Sequence, residues 1–127
     1  QWNEAMQYVN TQGTQGICPS GWHIPTHAEL YYLRGIVDSN GNALKAVGQG
    51  NNLGAGTNTT GFSALLAGYR YPDGYFYDYG VYTAFWSSTE NDPDILVTRL
   101  PLESDNGDLN LINSTKDYGV SVRCLKD

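Results

Sequence analysis

Cys18-Pro19-Ser20-Gly21-Trp22-His23-Ile24-Pro25-Thr26 opens onto the clearest local signal in the chain, Pro25-Thr26-His27-Ala28-Glu29. Thr26 with Glu29 three residues on is a capping box, in which each residue satisfies an orphan backbone N–H of the other. Leu30, Leu33 and Val37 continue as an apolar stripe, so a helix is predicted from Thr26 until Asn40-Gly41 stops it. The matching stretch at the far end is Val120-Ser121-Val122-Arg123-Cys124. There Val120, Val122 and Cys124 share one strand face, and Ser121 and Arg123 share the other. The two brackets hold the only two cysteines, and a bond between them would close a loop of roughly 100 residues, worth about 4–5 kcal/mol in the chain-entropy model. Two buried thiols would satisfy the same pattern, and the sequence leaves both states open.

The chain has 127 residues, enough for one domain (1–127) with its own core. Only 16% of residues are charged, while Gly, Asn, Ser, Thr and Tyr fill the polar share, which points to a loop-rich, β-containing extracellular domain. A net charge of −6 without Lys/Arg clusters argues against nucleic acid or an anionic membrane as partner. No apolar run approaches the roughly 20 residues of a membrane span. Trp2, Ala5, Met6 and Val9 recur at helical spacing directly after Gln1, with no cap before them. The expectation is a helix cut close to its start, with more protein upstream.

Between the brackets, 48–60 reads as a long irregular loop of Gly, Asn and Thr. Residues 62–70 read as an apolar strand, followed by a Tyr71-Pro72-Asp73-Gly74 turn and a return along Tyr75-Phe76-Tyr77-Asp78-Tyr79. Further strands are expected at 84–88, 95–102, 109–112 and 119–125.

The first bracket, Gly61-Phe62-Ser63-Ala64-Leu65, Gly68-Tyr69-Arg70, Trp86-Ser87-Ser88-Thr89-Glu90 and Ser121-Val122-Arg123-Cys124 together resemble the Fibrobacter-type major paralogous (FISUMP) domain of bacterial surface proteins. The order and spacing match over nearly the whole chain. The resemblance implies an α+β domain of the C-type lectin-like fold: two helices flanking small twisted antiparallel sheets, long loops on one face, and termini brought together. It implies that Cys18 and Cys124 lie within bonding reach, and that Trp22, Trp86, Glu90 and Arg123 are structural. Glu90 would support its loop by hydrogen bonds, and Arg123 would pair with a carboxylate in the body of the fold. The same fold carries the variable proteins of diversity-generating retroelements. The irregular chemistry between Gly68 and the late motifs has the layout of such a variable region.

Tyr69, Tyr71, Tyr75, Tyr77 and Tyr79 fall at alternate positions with Tyr82 close by, so six of ten tyrosines lie within one short stretch. Tyrosine gives stiff contact area and a hydroxyl, and binding surfaces use it heavily. A buried aromatic layer is the competing reading, but a core would prefer Phe or Leu. The expected ligand face therefore comprises Tyr69, Tyr71, Asp73, Tyr75, Tyr77, Tyr79, Tyr82, Asn91, Asp92, Asp94, Asp105 and Asp108. The Glu90-Asn91-Asp92-Pro93-Asp94 loop concentrates oxygens, yet one short loop cannot supply the six to eight ligands that calcium takes. Neither His23 nor His27 has a second ligand at zinc spacing. No metal, no cofactor and no catalytic residue is assigned.

These readings converge on a non-enzymatic ligand-binding domain on an extracellular, cell or phage surface. Its partner would be a protein, with a glycan as the near alternative. A relative of the formylglycine-generating oxidases is the enzymatic alternative, but those work through a close pair of reactive cysteines.

Overall fold

The computed structural model describes residues 1–92 and 96–127, with Asp92 described by its backbone alone. Helix α1 spans Trp2–Ala5, β1 Trp22–His23, α2 His27–Ile36, β2 Tyr69–Arg70, β3 Phe76–Tyr77, β4 Tyr82–Asp92, β5 Leu96–Glu103, β6 Ile112–Thr115 and β7 Leu125–Lys126. The strands form three small antiparallel sheets, β1-β7, β2-β3 and β4-β5-β6. The architecture is mixed α+β, with few helices and much irregular chain.

The capping box is formed at the start of α2: Thr26 Oγ1 accepts from the Glu29 N–H, and Glu29 Oε2 accepts from the Thr26 N–H at 2.8 Å. The helix ends at Ile36, earlier than Asn40-Gly41 suggested, because Asp38 and Ser39 both take left-handed backbone (φ +51° and +58°). At the N-terminus, Trp2, Ala5 and Met6 are buried as their spacing implied, but the helix is a single turn and Val9 is exposed.

The two brackets meet. Cys18 and Cys124 are disulfide-bonded with α-carbons 5.8 Å apart across 106 positions of sequence. Trp22 pairs with Lys126 and His23 with Leu125. The bond sits in a core of Trp2, Ala5, Met6, Ile24, Trp86 and Val97, against which Tyr118, Val120 and Val122 pack. A second core joins Leu30 and Val37 of α2 to Leu44, Ala64, Leu66, Phe85, Leu100, Leu102 and Leu109. The faces of β4 and β5 feed both cores, which makes that strand pair the spine of the domain.

Several expectations need correction. Residues 62–70 are mostly extended loop, with strand only at Tyr69–Arg70, because their backbone bonds go to scattered partners and not to one neighbouring strand. The strand expected at 109–112 lies at Ile112–Thr115. The 119–125 stretch is a strand only at its end, although Gly119 and Ser121 make single bridges to Arg70 and Phe85. β4 runs on to Asp92, well past Ser88. Among the described residues Arg123 pairs with no carboxylate. Its guanidinium lies 4.5 Å from the Phe62 ring centroid and donates to the Phe62 carbonyl at 2.8 Å, so ring and backbone hold it. Trp22 acts through its backbone pairing, its side chain being exposed.

Candidate functional site

The Tyr71-Pro72-Asp73-Gly74 turn closes the β2-β3 hairpin, with the Gly74 N–H donating to the Tyr71 carbonyl at 2.9 Å. Asp73 braces it twice, accepting from the Tyr75 N–H and, at 2.9 Å, from the Tyr77 hydroxyl. That bond raises the Tyr77 pKa above its ordinary value, since ionisation would remove the donated proton beside a carboxylate. Gly68 (φ +74°) lets the hairpin lie close, because a Cβ there would overlap the Tyr77 carbonyl oxygen.

Cross-strand pairing puts Tyr69 opposite Tyr77. The rings of Tyr69, Tyr71 and Tyr77 then join Tyr82 and Tyr118 in one cluster. Tyr69 lies 6.1 Å from Tyr77, 5.6 Å from Tyr82 and 5.9 Å from Tyr118, while Tyr71 lies 6.0 Å from Tyr77 and 5.2 Å from Tyr118. Offset and edge-on contacts in this range are attractive. The cluster is graded from inside to outside. Tyr82 is at the base, where burial raises its pKa and its hydroxyl is enclosed with no partner among the described residues. Tyr69 and Tyr118 are half-buried, and burial, with the neighbouring Tyr71 hydroxyl adding to it, raises the Tyr118 pKa. Tyr71, Tyr77, Tyr75 and Tyr79 are exposed, by 41%, 43%, 70% and 88%.

The alternation seen in sequence is only partly kept. Asp78 takes left-handed backbone (φ +57°), so Tyr79 leaves the register of Tyr75 and Tyr77 and stands out in solvent. Phe76, on the other side of the hairpin, is 79% exposed and enlarges the apolar surface.

Asp105 and Asp108 lie exposed on the loop after β5, close to the base of this face, where Tyr82, Glu103, Asn106 and Asp108 line one shallow depression. That loop is anchored by Lys45, which is fully buried and donates its Nζ to the carbonyls of Glu103 at 2.5 Å and Asn106 at 2.9 Å. Burial lowers the Lys45 pKa, partly opposed by Asp105 and Glu103.

Asn91 is not gathered with the tyrosines. It lies just past the Glu90–Val97 pair, about 20 Å along the sheet from the Tyr82–Glu103 pair, and donates to Thr98 Oγ1 and Asn113 Oδ1. The side chain of Asp92 and the whole of Asp94 lie outside the described residues. Glu90 supports this end of β4 through an ion pair with Lys116 at 2.6 Å, both partners being mostly buried.

Two contributors were missed by sequence reading, Tyr118 and Arg99. Tyr118 was legible in principle, because it extends the parity of Val120 and Val122 by one step. Arg99 had no local signal, since only the pairing of β4 with β5 carries it to the tyrosines. Among the described residues, no group of three or more His, Cys, Asp or Glu is placed to hold a metal ion. A cavity of about 480 Å³ lies elsewhere, between α2 and the C-terminal bracket, with Leu30, Leu33, Phe62 and Arg123 in its wall.

A family model described as Fibrobacter succinogenes major domain matches residues 1–126. This chain belongs to that family. The bracket motifs, the bonded cysteine pair and the strand spine of this Fibrobacter-type domain all fall inside the matched span. Searches of curated proteins and of solved structures found no match to the chain.

Proposed function

We propose that this Fibrobacter-type domain is a non-enzymatic ligand-binding module of the C-type lectin-like kind, displayed on a cell or phage surface, with the tyrosine hairpin as its contact face. One observation carries the reading: Tyr71, Tyr75, Phe76, Tyr77 and Tyr79 are all exposed on one short hairpin. Monomeric proteins rarely leave such an apolar patch uncovered unless it meets a partner. The rings bring large contact area at low entropic cost, and the hairpin is preorganised by Asp73 and by the ring cluster beneath it. Exposed aromatic side chains in this number suit a protein partner. The disulfide supports an oxidising, extracytoplasmic setting. The irregular chemistry of this region suits a segment diversified by a retroelement.

The test is to randomise Tyr71, Tyr75, Phe76, Tyr77 and Tyr79 in a displayed library and select against a fixed protein such as lysozyme. The reading expects the clones to fold with near-parental Tm and to yield binders. General unfolding of the library would sink it. For the retroelement, a second genomic copy differing at adenine-containing codons across this region is expected. Copies that differ evenly at all bases would remove that part.

A further inference from the structure

We propose that Arg99 receives an anion at the base of the tyrosine face, so that the ligand presents a carboxylate of a protein partner between Tyr82 and Tyr118. This rests on the reading of the tyrosine face given above. Arg99 extends from the middle of β5, directly opposite Trp86 on β4, and its guanidinium carbon lies 5.8 Å from the Tyr82 ring centroid and 5.2 Å from that of Tyr118. The chain carries 13 acidic and 7 basic residues, so acids are plentiful, yet among the described residues none forms an ion pair with Arg99. Its Nε and Nη1 are buried without an acceptor among the described residues. Buried polar groups nearly always find partners, and a buried charge without one is costly. The ring faces attract the cation but place no acceptor oxygen on its N–H bonds.

The neighbours sharpen the deficit. Tyr82 and Trp86 alternate on the β4 face that meets Arg99, and the Tyr82 hydroxyl and the Trp86 Nε1–H are also buried and unpartnered. Guanidinium, indole and phenol thus bring donors to one side of the sheet, and what they lack is an acceptor. A carboxylate supplies two oxygens in the forked geometry that a guanidinium prefers. Other cations near the cores show the contrast, because Lys45 is capped by carbonyls, Lys116 by Glu90, and Arg123 donates to the Phe62 carbonyl. The Tyr71 ring, edge-on to Tyr118 at 5.2 Å, is 41% exposed, so a rotamer change of Tyr71 is the step by which a ligand would reach the guanidinium.

The experiment follows the Arg99 Nε–H and the tyrosine ring resonances by NMR at constant ionic strength. N-acetyl-aspartate methylamide is titrated in, alongside its asparagine counterpart and glucuronate. The aspartate probe is expected to shift the Arg99 Nε–H saturably, and the neutral asparagine probe to bind roughly tenfold more weakly or worse. Arg99→Gln should lose the preference for the charged probe, while Arg99→Lys, which keeps charge without the fork, should retain part of it. If glucuronate binds as tightly as aspartate, the commitment to a protein carboxylate falls in favour of an acidic glycan. If ring signals respond to both amide probes equally while Arg99 stays silent, the anion site is wrong and the tyrosine face survives. If no probe moves either set of signals, the anion site is wrong, and the displayed library alone decides the tyrosine face.

Discussion

Two regions of this domain are built from aromatic residues, and they behave as opposites. Trp2 and Trp86 of the bracket core are buried to within 1% of complete, and Trp2 delivers its indole N–H to the Ser87 carbonyl at 2.8 Å. The hairpin tyrosines present their rings to solvent, and only the inner members of the cluster are covered. The bracket core lies where distant parts of the chain converge, closed by the disulfide and by the β1-β7 pairing. The hairpin is local, made within one turn of chain and laid against the spine at Gly68. Aromatic content therefore marks neither core nor surface. What separates the two is whether sequence-distant backbone closes over the rings.

The comparison can be broken most forcefully at the staple. Replacing both Cys18 and Cys124 with Ser should cost about 4–5 kcal/mol in urea unfolding, given their separation of 106 positions. A loss below about 1 kcal/mol would mean the brackets are held by packing alone. Trp2→Ala comes next, at about 3–5 kcal/mol, since it empties a fully buried site and strands the Ser87 carbonyl.

A smaller effect is expected at His23, which ties the first bracket and the start of α2 to the C-terminal Asp127. Its ring contacts Asp127 at 2.7 Å and Glu29 at 3.1 Å. The Asp127 hydrogen bond is the main cause raising its pKa, with burial opposing and Glu29 adding to the rise. A raised folded pKa means that the protonated form is favoured on folding. The contribution is thus complete below the ordinary value of 6.5 and disappears as pH climbs through the raised folded value. NMR titration should show this elevation, and Asp127→Asn should bring it down. An unchanged value in that variant would assign the effect elsewhere.

The smallest expected effect is on the other side of the comparison. Tyr75→Ala or Tyr79→Ala should shift stability by no more than about 0.5 kcal/mol, because both rings are exposed and neither bonds to the core. Cooperative unfolding at markedly lower denaturant would make these residues part of the core and remove the contact face.

Features confined to a few neighbouring residues were legible in the sequence. The Thr26–Glu29 capping box and the Tyr71–Gly74 turn depend on contacts that neighbouring residues make by themselves, and the shared side of Val120, Val122 and Cys124 follows from the alternation of extended backbone. The family resemblance added the meeting of the brackets, and the cysteines are bonded accordingly. Features that depend on which distant backbone comes alongside were beyond reach. The extended look of residues 62–70 did not reveal that their hydrogen bonds scatter among several partners. Nothing local showed that Arg123 rests on Phe62, or that β4 carries Asn91 away from the tyrosines.

The sequence by itself determined the capped helix, the hairpin and its concentration of tyrosines, since caps, turns and composition are short-range properties. Only the tertiary structure decided which of those tyrosines are covered, and that Tyr118 and Arg99 join them. Those outcomes depend on the β4-β5 register and on Gly119 bridging to Arg70, pairings between segments far apart in the chain. A strand's neighbour is chosen by the packing of the whole domain, and no stretch of its own residues encodes that choice.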